Sequence, residues 1–180
     1  MTLSLPLRYG IAGGVAALLL TMVPYASLGT GPGTYAVVET VGYVSMLAAM
    51  TAVYFAARKR SVAAGDLRGR ELLRLGACVS AVAGLVHAAG TWFAYEVLLP
   101  ETLPRLLAAY EQHLRSQAMS LAELNAALAR LESGRRGFLS PPFQAAVQGF
   151  TLCVVGLAVT LYTVFRFRTP PAQRDEPRRG

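Results

Sequence analysis

The chain has 180 residues, of which 54% are hydrophobic and only 15% charged, with a net charge of +7. An ordinary soluble domain carries nearer a quarter charged residues, and the mean hydropathy of +0.43 points the same way. The apolar residues are gathered into four runs, residues 9–28, 36–57, 72–99 and 142–165. Each is long enough to cross the hydrocarbon core of a bilayer as a helix, which takes about 20 residues. Too little chain is left over for a separate soluble domain.

The positive charge is not spread as a nucleic-acid surface would be. With both termini placed in the cytoplasm, the cytoplasmic segments hold twelve basic and four acidic residues, a net +8. The opposite side holds five basic and six acidic residues, a net −1. This is the positive-inside bias of a bacterial inner-membrane protein with cytoplasmic N- and C-termini, and it excludes nucleic acid as the reason for the charge. The first run carries only Arg8 before it and lacks a small-residue cleavage site after it, so it reads as a retained helix and not a signal peptide. Cys78 and Cys153 both lie inside apolar runs, which implies no disulfide framework.

Run 1 opens with Gly10 and Gly14, four residues apart, a spacing that lets another backbone approach closely. The turn from Gly29 to Gly33 makes runs 1 and 2 antiparallel neighbours. In run 2, Glu39, Tyr43, Met46 and Met50 recur at helical spacing, and Arg58, Lys59 and Arg60 end it. Run 3 places Gly76, Ser80, Gly84 and Ala88 on one small-residue face, with Leu75, Val82, Leu85, Trp92 and Phe93 opposite. Trp92, Phe93 and Tyr95 mark an aromatic belt at the outer interface. Residues 100–141 are the one long extramembrane segment. Leu103, Leu106, Leu107, Tyr110 and Leu114 fit one helical face, and Leu121, Leu124, Leu128 and Leu131 another. Ser120 and Glu123 have the spacing of a capping box that would start the second of these helices. Pro142 opens run 4, and the Arg/Asp/Glu/Pro-rich tail 169–180 reads as disordered and cytoplasmic. Residues 1–168 are thus predicted to form one transmembrane domain. It is an all-α four-helix bundle with an amphipathic helical segment between its third and fourth helices.

Four residues are candidates for an interior polar site. His87 falls near the middle of run 3 on the face of Ser80, Gly84 and Thr91, where an ionisable group points at protein or water. It reads either as a proton or metal site or, more simply, as a neutral imidazole hydrogen-bonding between helices. Glu39 is either a first-turn carboxylate favoured by the helix dipole or, with Tyr43 and Gln148, part of an interior cluster. Glu96 cannot join His87, because nine residues of straight helix separate them by about 13 Å and about half a turn. Met46 and Met50 invite comparison with thioether ligands of Cu(I), although methionines at helical spacing are more commonly packing residues. None of the common catalytic signatures, nucleotide-binding loops or paired-cysteine motifs occurs, so the sequence indicates neither an enzyme nor a cofactor.

These features in this order resemble a family of bacterial multi-pass membrane proteins catalogued as domain of unknown function 4199. The resemblance rests on Tyr9, Gly10 and Gly13, on Glu39 with Gly42, Tyr43, Ser45 and Met46, and on the aromatic-rich stretch from His87 to Tyr95. Ser120 to Leu124, and Pro142, Phe143 and Gly156, complete it. The connection at Ala64 to Asp66 is shorter than the family pattern. The resemblance implies an inner-membrane protein with four helices and a charged helical insertion before the last, and it raises Glu39, Gly42 and Tyr43 among the candidates. Packing motifs without catalytic ones favour a non-enzymatic membrane component that binds lipid, another membrane protein or itself. The alternatives are a small transporter or permeation subunit with an interior polar path and, further off, a Cu(I)-handling protein.

Overall fold

The computed structural model describes residues 4–28, 35–64, 68–117, 119–135, 137 and 140–167. These form seven α-helices and one π-helical turn, with no strand among the described residues: α1 (Leu5–Leu28), α2 (Tyr35–Ala49), α3 (Thr51–Ala64), α4 (Gly69–Phe93), the π turn (Ala94–Leu98), α5 (Thr102–Ser116), α6 (Leu121–Arg135) and α7 (Pro141–Phe167). Four stretches are long and apolar enough to cross a membrane: Leu5–Pro24, Thr40–Ala63, Gly69–Leu98 and Pro141–Phe167. The four-span, all-helical reading of the sequence therefore holds. Residues 29–34, 65–67 and 168–180, which take in the expected glycine turn and the expected disordered tail 169–180, lie outside the described residues.

The second span differs from the single helix 36–57. It is divided at Met50 into α2 and α3. The Val53 amide donates to the Met50 carbonyl at 3.0 Å, a tight three-residue turn, and the Thr51 hydroxyl donates to the Ala48 carbonyl at 2.7 Å. A hydroxyl that competes for a carbonyl one turn back is a recognised cause of helix bending. Nor do Arg58, Lys59 and Arg60 end the helix. They lie exposed within α3, which continues to Ala64. Arg and Lys are good helix formers; charge ends the apolar stretch without ending the helix.

Glycine decides how the spans meet. The α4–α7 contact is the largest in the molecule and α1–α4 the next. A methyl group on Gly149 of α7 would lie 2.8 Å from the Gly84 carbonyl oxygen of α4, and one on Gly84 would lie 2.8 Å from the Gly149 carbonyl oxygen. Gly76 faces Thr160, and Gly156 faces Ser80, at similarly close range. On the other side of α4, Gly10 of α1 abuts Val82, and a methyl on Gly14 would lie 2.6 Å from the Ala83 carbonyl oxygen. Lipid tails are as apolar as leucine, so close packing of this kind replaces the hydrophobic drive between helices in a membrane.

Met50 plugs the centre and is fully buried. Its thioether lies between Gly13 of α1 and Gly156 of α7. Ala17, Met46, Ala49, Val53, Ala56, Val79, Ala83 and Leu152 complete this apolar cluster. Large apolar side chains elsewhere point outward, among them Leu19, Leu47, Leu85, Phe150, Leu157 and Phe165. Such a surface is far more apolar than a water-facing one and suits a lipid solvent.

α1 and α2 are also joined by a hydrogen bond. Pro24 lies inside α1 and has no amide hydrogen to give to the Leu20 carbonyl. The Ser45 hydroxyl of α2 donates to that carbonyl at 3.3 Å.

α5 and α6 form a hairpin that, among the described residues, packs mainly on itself. Leu114 is buried in it, while Leu103, Leu107, Leu124, Leu128 and Leu131 are half-buried; the Leu106 side chain lies outside the described residues. The capping box forms in both directions. The Ser120 amide donates to Glu123 Oε2 at 3.0 Å, and the Glu123 amide donates to Ser120 Oγ at 3.3 Å. The Ser120 hydroxyl also donates to Glu123 Oε2 at 2.7 Å, and this bond first, then that from the Ser120 amide, holds the Glu123 carboxyl below the usual glutamate range.

Candidate functional site

One group of buried polar side chains lies in the half of the bundle toward the α4–α5 connection, while Thr160 and Thr163 are buried toward the other end. His87 and Thr91, one turn apart on α4, are both at 0% exposure. Tyr95 is 3% exposed, so it belongs to the interior and not to the outer aromatic belt expected of it. The π turn accounts for this. In a regular α-helix each four-residue step turns a further 40° around the axis, and Tyr95 would have left the His87–Thr91 line. Here the Leu99 amide reaches back five residues to the Ala94 carbonyl at 2.7 Å, and this wider turn keeps Tyr95 facing inward. Single π turns of this kind occur often at functional sites.

From α7, Gln148 enters the same cluster. Its Nε2 donates to the Tyr95 hydroxyl oxygen at 3.1 Å. Its amide also stands beside the His87 ring, but no hydrogen bond of good geometry joins them. Four atoms here have no protein partner: both ring nitrogens of His87, Thr91 Oγ1 and Gln148 Oε1.

The other candidates lie apart from this cluster. Tyr43, expected in the interior, is 56% exposed on the outer surface of α2, in line with Leu47. The inward face of α2 is centred on Ser45, Met46 and Ala49, all buried, and Tyr43 falls at its edge. Gly42, a candidate packing glycine of run 2 that the family resemblance also raises, has nothing within 4 Å of where a side chain would start. Glu39 lies in α2, but its side chain is outside the described residues. Gly10, Gly14, Gly76, Ser80 and Gly84 all lie at helix crossings, and the Ala88 methyl is 2.7 Å from where a side chain on Gly149 would start. Met46 and Met50 sit within the apolar cluster. Cys78 faces outward, and the Cys153 thiol donates to the Ser80 carbonyl at 3.4 Å. Among the described residues no three His, Cys, Asp or Glu side chains are grouped as metal ligands would be.

A family model described as "Protein of unknown function (DUF4199)" matches residues 8–168, which takes in all four spans and the hairpin. The chain belongs to this family. No curated protein matches it, and no solved structure does. For a DUF4199 protein the two notable features are thus internal to the matched region: a buried polar cluster between α4 and α7, and a helical hairpin inserted between those same two helices.

Thr91 and Tyr95 are the residues of the cluster that sequence reasoning did not assign to a site. The spacing of His87, Thr91 and Tyr95 at successive fourth positions was the available signal. It becomes one face only when the helix widens after Phe93.

Proposed function

We propose that this protein is a non-enzymatic component of a bacterial inner membrane that works by binding a partner membrane protein through its α5–α6 hairpin. Both chain termini face the cytoplasm in this reading and the hairpin faces outward, in keeping with the one-sided basic residues. The observation that carries the proposal is the hairpin's independence. It packs on itself and leaves Tyr110 and Leu121 exposed, Leu121 by 78%. The small-residue faces that would otherwise serve for association are occupied within the bundle.

A transporter would need a continuous polar path. The buried polar cluster would supply one part of it, but Tyr43 lies outside the bundle. Copper ligation by Met46 and Met50 would have to compete with their place in the apolar cluster.

The test is site-specific photocrosslinking in native membranes from a crosslinker at Leu121, with one at Val62 of α3 as control. The expected result is one protein adduct from Leu121, absent from Val62 and lost when Tyr110→Glu is added. Adducts to lipid alone would sink the proposal. Orientation is tested separately in a Cys78→Ala/Cys153→Ala background. An impermeant thiol reagent should label Gly137→Cys in intact cells and Arg60→Cys only after permeabilisation; the reverse pattern inverts the protein.

A further inference from the structure

A buried polar atom without a partner is costly, and four in one place ask for an explanation. The imidazole ring, if neutral, offers one donor and one acceptor. Thr91 adds a hydroxyl, which both donates and accepts, and Gln148 Oε1 adds an acceptor. Gln148 Nε2 gives one of its two hydrogens to the Tyr95 hydroxyl oxygen, and no hydrogen bond of good geometry joins the amide to His87. Thr91 lies one helical turn from His87 on the same face; the two do not bond to each other and are near enough to share a small molecule. A metal does not fit the donor set, because among the described residues no three His, Cys, Asp or Glu side chains are grouped here. What fits is a small neutral molecule with two donors and two acceptors.

We propose that this cluster is an internal hydration site. One water bridges a His87 ring nitrogen, Thr91 Oγ1 and Gln148 Oε1. Buried waters typically make about three hydrogen bonds to otherwise unpaired groups, which is what this position offers. The π turn is part of the same device. It holds Tyr95 where its hydroxyl fixes the Gln148 amide, so that Oε1 is left for water.

The chain has two histidines, His87 and His113. His113 is exposed on α5, so His113→Gln leaves His87 as the sole histidine reporter. In 15N-histidine-labelled protein in lipid nanodiscs, magnetisation transfer from water to the His87 ring is expected. It should persist when an impermeant paramagnetic agent quenches the bulk water signal. The isosteric Thr91→Val should reduce the transfer several-fold, and Thr91→Val with Gln148→Leu should abolish it. The proposal is overturned if the wild-type chain shows no transfer, or if coupling across a direct His87–Gln148 hydrogen bond is seen. The wild-type measurement decides even if the double variant fails to fold.

Discussion

Ser45 of α2 donates its hydroxyl to the Leu20 carbonyl of α1, the group that Pro24 leaves without a helical donor. A proline in a membrane helix is tolerated when a neighbour satisfies the carbonyl it frees. The two residues should therefore be coupled. Ser45→Ala is expected to lower stability by roughly 0.6 kcal/mol, typical of an interhelical bond in a membrane. In a Pro24→Ala background, where the Leu20 carbonyl regains an amide donor, the same substitution should cost much less. A double-mutant cycle from unfolding in nanodiscs checks this. Equal costs in both backgrounds would refute the coupling.

The Gly84–Gly149 crossing should be intolerant of any side chain. A methyl at Gly149 meets the backbone of Gly84, which has no flexible end to move aside. Gly149→Ala is expected to destabilise by about 1–3 kcal/mol through overpacking. Gly42→Ala is the contrasting case. Nothing lies within 4 Å, and alanine suits a helix better, so thermal stability should be unchanged or slightly raised. Thermal unfolding of both variants in the same lipid tests the difference.

Met50 separates packing from ligation. Met50→Ala should cost about 2–5 kcal/mol, as truncation of a fully buried side chain does. Met50→Leu conserves volume and should cost less than about 1.5 kcal/mol. If Met50→Leu instead strips a bound metal from the purified protein, as elemental analysis would detect, the methionine is a ligand.

Glu123 gives α6 a pH-dependent start. Its folded-state pKa is lowered by the Ser120 bonds, so its contribution is full above the ordinary glutamate value of roughly 4.3. It is lost as pH falls through the lower folded-state value. The protection factors of the Leu121 to Leu124 amides, which allow for the intrinsic slowing of exchange in acid, should fall below that range. Ser120→Ala should show the lower protection already at neutral pH and lose the acid dependence.

The spans were legible because a bilayer demands long apolar runs, and the capping box because Ser120 and Glu123 act within one turn of chain. The small face of α4 could be read as well, since Gly76, Ser80 and Gly84 repeat with the helix. What the sequence hid depends on departures from regular geometry. No Gly or Pro marks the break at Met50; it comes from the Thr51 hydroxyl and a tight turn. Tyr43 was misplaced because an unbroken helix would align it with Met50, and the break uncouples the two. Tyr95 was misplaced for the related reason that the π turn moves it onto the His87 face. Its role as the partner of Gln148 could not be read from a pattern, because α7 supplies that residue from 53 positions away.

The tightest joint in the molecule links α4 and α7, yet the hairpin is the chain that connects them. The entropy of closing a connection grows only with the logarithm of its length, so doubling it costs roughly 0.6 kcal/mol. The glycine crossing therefore sets almost no limit on the size or sequence of what is threaded between the two helices. The membrane half acts as a fixed socket and the hairpin as an exchangeable head. By the same arithmetic the hairpin can lengthen or change without loosening the α4–α7 joint.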